Sequence, residues 1–255
     1  EARDSFGEDP FEVKNILKYW VFSEKPEFHV IPTDTINIHI DKDALLRSGI
    51  MLPKTIRHLK GEDLKDAIPD KLYIPLTDIR MLTKVDLLML EMLANCNWER
   101  PLYLAISVGS VSKLKFDNYF VQEGLAFRFT PFDYKKWGDV GENRLYAVDV
   151  ERLYDNVMNR YKYGGLDTPG LYLDETTLRT CWYHRRLFAQ LAKELIAQGD
   201  NERAKKVLAY AEQVIPGYNV PETHESGSYD IATAYAALGE KTKACLLYTS
   251  DAADD

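Results

Sequence analysis

The chain has 255 residues, 45% of them hydrophobic, and a formal net charge of −8. That is enough apolar material for one or two packed domains, and the acidic balance, with Lys and Arg scattered among acids, excludes the basic stripe of a nucleic-acid-binding face. The longest apolar runs, LLMLEMLANC and PLYLAISVG, fall short of the roughly 18 to 20 residues of a membrane-spanning helix.

Asp9, Pro10 and Glu12 predict a helix start, with Asp at the N-cap and Pro at the first helical position. Val13, Ile16, Leu17 and Trp20 then recur at three and four residues, so FEVKNILKYWVF reads as an amphipathic helix. TINIHI alternates strictly, with Ile36, Ile38 and Ile40 on one face and Thr35, Asn37 and His39 on the other, predicting a strand with one wet side. A short helix around Ala44 to Arg47 and a second strand, KLYIPL, follow. Thr83 to Asp86 reads as a capping box opening KVDLLMLEMLANC. Apolar residues reach nearly every face of that helix, predicting burial on most sides. RPLYLAISV reads as the near-continuous apolar strand of a covered sheet, GLAFRFTPF and RLYAVDV as further strands, and residues 151–160 as a helix. This alternation predicts a mixed α/β domain over residues 1–165 with a partial sheet.

YKYGGLDTPG is a turn-rich boundary, after which strand signals vanish. Over residues 170–244 the expectation is an all-α region of tetratricopeptide-like hairpins. Phe188, Leu191, Ala192 and Leu195 fall on a first helix, Gly199 at the turn, Ala204, Leu208 and Ala211 on a second helix, and Pro216 at its end. Small residues are required at Ala192 and Ala204, where the two helices cross closely. Ala232, Tyr235, Gly239 and Ala244 repeat Ala192, Leu195, Gly199 and Ala204 at a constant shift of 40. The pattern then breaks. CLLYTSDAAD, residues 245–254, resembles the translation of a transposase-end sequencing adapter, so 245–255 is expected to be foreign to the fold. Without Asp251, Asp254 and Asp255 the formal charge moves from −8 to −5.

Chemistry is thinly signalled. The chain has no GxGxxG, Walker loop, HExxH, GxSxG or CxxC, so no catalytic residue, metal site or cofactor is assigned. Cys96, Cys181 and Cys245 are too few and too far apart for a disulfide framework and read as small hydrophobes. Three constellations remain. Asn97, Trp98, Glu99 and Arg100 share the corner between a helix and a strand; they are a candidate binding loop, or Trp98 plugs the core while Glu99 and Arg100 cap or pair. The loop leads into a strand's amino end, which counts against a site. Asp34, Asp41 and Asp43 flank the first strand, as acid/base carboxylates, as ligands of a hard cation, or with Asp41 as a plain N-cap. Arg185 and Arg186 sit on the first repeat helix as a carboxylate- or phosphate-binding edge, or on a solvated face, or paired with acids of the α/β part.

Beyond these readings, LTKVDLLMLEMLANCNWERPLYLAISVG, YFVQEGLAFRFTPF, LYDNVMNRYKYGGLDTPGLYLDETTLRTCWYHRRLFAQLA and VIPGYNVP resemble a large bacterial membrane-protein family. That family is common in Bacteroidetes, was long known only as a domain of unknown function, and is similar to the protein O-mannosyltransferase-like branch of the GT-C glycosyltransferases. The resemblance implies a parent with a multi-span inner-membrane domain, a catalytic acid in a periplasmic loop and a polyprenyl-phosphate-linked sugar donor. This chain resembles the soluble C-terminal part alone, so no catalytic residue carries over. What the resemblance implies for it is a periplasmic accessory region, holding acceptor or partner proteins on its helical repeats beside its own membrane domain. The alternative is a tethered sugar-binding or hydrolase domain.

Overall fold

A computed structural model describes residues 9–108, 114, 116–141 and 146–251. The chain divides into two units, residues 1–121 with 126–147, and residues 122–125 with 148–255.

In the first unit, α1 (Val13–Ile16) runs on as a π-helical turn (Leu17–Val21), and Val13, Ile16 and Leu17 are buried as their spacing requires. Asp9 does not cap this helix. Glu12 takes that position without a side-chain bond, while the Asp9 carboxylate pairs with Lys71 and accepts from Asn37 Nδ2 at 3.2 Å. Burial pushes its pKa up, but the bonds from Lys71 and Asn37 outweigh that and hold it below the ordinary 3.8.

The strands β1 (Thr35–His39) and β2 (Lys71–Pro75) pair antiparallel with Asn37 opposite Tyr73. Ile36, Ile38, Leu72 and Ile74 point into the core. The wet side predicted for β1 is drier than its sequence suggests, since Asn37 is 6% exposed. The chain at Phe11 and Glu12 lies parallel alongside, and the Asn37 N–H donates to the Phe11 carbonyl at 3.0 Å. α2 (Lys42–Arg47) starts at Asp41, whose carboxylate accepts from the Ala44 N–H at 2.9 Å. α3 (Gly61–Ala67) buries no residue.

α4 (Lys84–Asn95) opens with the expected capping box: Thr83 N–H donates to Asp86 Oδ2 at 2.7 Å, and Asp86 N–H to Thr83 Oγ1 at 3.3 Å. Its burial corrects the sequence reading. Leu90, Leu93 and Ala94 are buried, but Val85, Leu88 and Met92 are exposed, because the neighbours α1 and β1 cover one side only. RPLYLAISV is corrected likewise. Only Tyr103–Ala105 forms a strand, β3, and it is the edge of a sheet ordered β3-β5-β4-β6, with Tyr103 exposed. The others are β4 (Phe120–Gln122), β5 (Ala126–Phe129) and β6 (Ala147–Val148).

The second unit is helical: α5 (Val150–Asp155) with a π-helical turn (Asn156–Arg160), α6 (Glu175–Ala197), α7 (Asn201–Val214), α8 (Ser228–Ala237) and α9 (Lys241–Asp251). No described residue after 175 is in a strand. Val150, Leu153 and Val157 join the core of α6 and α7, so the division falls at 147/148, before the turn-rich stretch at 161–170.

Phe188, Leu191, Ala192, Leu195, Ala204 and Leu208 are fully buried, which is what close crossing at the two alanines demands. The α6–α7 and α8–α9 turns share one construction. Gly199 (φ 81°) donates to Ile196 O at 2.9 Å and Asp200 to Leu195 O at 2.9 Å; Gly239 (φ 80°) donates to Ala236 O at 3.0 Å and Glu240 to Tyr235 O at 3.0 Å. Both are helix ends closed by a left-handed glycine, 40 residues apart, matching the shift in the sequence.

The turn-rich stretch is itself held down. Asn219 Nδ2 donates to the Leu166 and Thr168 carbonyls at 2.7 and 2.6 Å, and Tyr218 Oη to Asp167 O at 2.6 Å. Upstream, the Leu125 N–H donates to Tyr161 Oη at 3.0 Å, and a Cβ on Gly124 would lie 2.1 Å from that oxygen, so any larger residue there forces Tyr161 to shift.

Candidate functional site

The loop between α4 and β3 is bent by two successive residues in the left-handed region, Asn97 (φ 47°) and Trp98 (φ 61°). Side chains other than glycine adopt it at a cost, and such outliers cluster at sites where geometry matters. The turn drives Trp98 inward to 6% exposure, where its Nε1–H donates to the His39 carbonyl at 2.8 Å and its ring stacks on Phe129 with centroids 6.3 Å apart. Trp98 is thus the core plug expected as one of two readings. Glu99 and Arg100 neither cap nor pair: both are exposed and form no salt bridge among the described residues.

Above Trp98 lies a cleft of about 320 Å³. Ile38, Leu93, Ala94 and Trp98 supply its apolar surface, and Glu12, Lys14, His39, Asp41, Asn97 and Glu99 its polar groups. Lys14 Nζ donates to Asn97 Oδ1 at 3.3 Å. Asn97, Trp98 and Glu99 are therefore brought together with Asp41, whereas Arg100 lines a different, water-sized void beside Arg128. The loop does lead into the amino end of β3, as its sequence implies. His39 and Asp41 stand at the carboxyl end of a different strand, β1, of the two-stranded antiparallel pair. Sequence reading missed Glu12, Lys14 and His39, because nothing local places α1 beside that strand end.

The aspartate constellation disperses. Asp41 caps α2, Asp43 pairs with Lys65 at 2.8 Å, and Asp34 lines a separate groove with Val30 and Met81. Among the described residues no group of three His, Cys, Asp or Glu side chains is placed to hold a metal.

Arg185 offers neither an anion-binding edge nor a solvated face. It is 4% exposed, and its guanidinium is filled from inside. Nη1 donates to Pro221 O (3.0 Å) and Ser226 Oγ (2.9 Å), and Nη2 to Val220 O (2.7 Å) and Ile215 O (3.3 Å). Burial pushes its pKa down. It ties α6 to the connection between the two hairpins, where GYNVPETHES holds the roughly six residues by which the repeat exceeds the usual tetratricopeptide period of about 34. Arg186 is exposed and donates to the Glu225 carbonyl; a Cβ on Gly227 would lie 2.7 Å from its Cγ.

A family model described as TMEM260-associated domain 2 matches residues 3–151, more than half of the chain and all of the cleft. No curated protein and no solved structure matches the chain. No helix among the described residues is long and apolar enough to cross a membrane.

Proposed function

The chain belongs to the TMEM260-associated domain 2 family, and from that premise we propose that it is the accessory region of a protein O-mannosyltransferase-like membrane protein, periplasmic in its parent and without catalysis of its own. In this reading the sugar is carried on a polyprenyl phosphate and transferred by the parent's membrane domain, while the helical hairpins hold the acceptor protein. The observation that supports a holding role is the repeated hairpin. Two glycine-closed helix pairs 40 residues apart stack on one core, and stacked helical repeats present extended surfaces suited to polypeptide partners.

The test uses the parent membrane protein with residues 150–251 removed. Modification of a folded acceptor protein is lost, while sugar transfer to a short acceptor peptide persists. Equal loss of both activities overturns the reading. So does mannose transfer by the isolated chain from a polyprenyl-phosphate donor.

A further inference from the structure

One side of α4 is left uncovered, and in a particular pattern. Its core side is Leu90, Leu93 and Ala94, packed towards α1 and β1. On the opposite side Val85, Leu88 and Met92 recur at three and four residues and are 46, 58 and 49% exposed; Met81, four residues ahead of Val85, is 67% exposed. That is the spacing of a helix–helix seam, written in exposed residues. Along one flank of the seam stand Lys84 and Glu91, seven residues apart and both exposed, and among the described residues neither side chain is in an ion pair. We infer that this face pairs with the same face of a second copy of the chain, α4 against α4, antiparallel about a two-fold axis.

The register follows from the spacing. Setting Val85 against Leu88 of the second copy brings Met92 against Met81 of the second copy, and the two-fold axis repeats both contacts, so all four apolar residues are covered at once. In the same register Lys84 comes beside Glu91 of the second copy, and Glu91 beside its Lys84, as flanking ion pairs that set the orientation of paired helices. A parallel pair would put Lys84 beside Met89 and leave both charges unmatched. The flank also argues against a lipid surface, which draws on basic residues around the apolar face. A face of 12 residues, about three turns, is small, so the dimer is weak and depends on concentration. The inference concerns the first unit and does not rest on the role proposed for the hairpins.

The experiment is sedimentation equilibrium of the full chain over a range of concentrations, with a reductant present because Cys245 is exposed. The mass rises with concentration from 29.3 kDa towards twice that value. Leu88→Glu, at an exposed position, weakens association about tenfold or more without lowering the urea midpoint. Lys84→Glu and Glu91→Lys each weaken it about three- to tenfold, because each sets like charges together at two symmetric places. Both changes suit the helix dipole, an acid in the first turn and a base nearer the end, so loss of the helix does not account for the weakening. The double variant Lys84→Glu/Glu91→Lys returns to within about twofold of the wild-type affinity, since the pairs are restored with their signs exchanged. A wild-type mass of 29.3 kDa at every concentration gives the seam to a different protein and overturns the inference. So does a dimer that ignores Leu88→Glu, or a double variant no tighter than the single ones.

Discussion

Arg185→Met keeps most of the aliphatic volume of the side chain and removes its donors. Three contacts of 3.0 Å or less are lost, to Val220 O, Ser226 Oγ and Pro221 O, the first two at buried residues. At about 1 kcal/mol net for each contact, the loss is about 3 kcal/mol. The helical unit is about a hundred residues long, so its melting temperature falls by about 12 to 24 °C. Arg185→Lys recovers little, because one ammonium cannot reach the acceptors that two guanidinium nitrogens now divide between them. Urea denaturation followed by far-UV circular dichroism, with amide exchange in α6 and α8 to localise the change, measures both variants. A loss below about 1 kcal/mol for Arg185→Met, or a Lys variant as stable as the wild type, refutes the claim that this guanidinium ties the hairpins together.

Gly124→Ala destabilises the helical unit by about 1 to 3 kcal/mol through overpacking against Tyr161 Oη. Adding Tyr161→Phe recovers part of that loss, which a double-mutant cycle detects as favourable coupling. Burial holds the His184 pKa below its ordinary 6.5, so the unfolded chain takes up a proton that the folded one resists. Stability attributable to this residue is therefore full above pH 6.5 and falls as the pH drops below it. Denaturation of wild type and His184→Gln across that pH range shows the difference, and parallel curves refute it. Leu247 packs against the helical core while Leu246 is 65% exposed, so truncation after Leu247 changes stability by less than about 0.5 kcal/mol, measured by urea denaturation.

What was legible in the sequence is what short-range periodicity encodes. The alternation of Ile36, Ile38 and Ile40, the capping box at Thr83, and the close-packed Ala192 and Ala204 all appear where their spacing puts them. The failures share a cause, which is that burial depends on what arrives from elsewhere in the chain. Asn37 is polar at an outward position, yet Phe11 and Glu12 cover it. Val85, Leu88 and Met92 are apolar, yet among the described residues they stay exposed on the outer side of α4. Arg185 looks solvent-facing beside another arginine, and its partners lie 30 to 41 residues downstream. The cleft was half legible for the same reason. The α4–β3 loop announced itself through its clustered polar residues and tryptophan, but Glu12, Lys14 and His39 join it only through the packing of α1 and β1.

The seating of Asn219 into the 166–168 loop gives the helical array a direction. The bonds to the Leu166 and Thr168 carbonyls fasten the lead-in segment onto the junction of the two hairpins, and Val150, Leu153 and Val157 of α5 and its π-turn join the same core. A further hairpin inserted ahead of α6 would have to displace that fastening. The array is therefore sealed on the side of its lead-in segment, and chimeras that graft foreign repeats onto it should leave Asn219 and residues 166–168 in place.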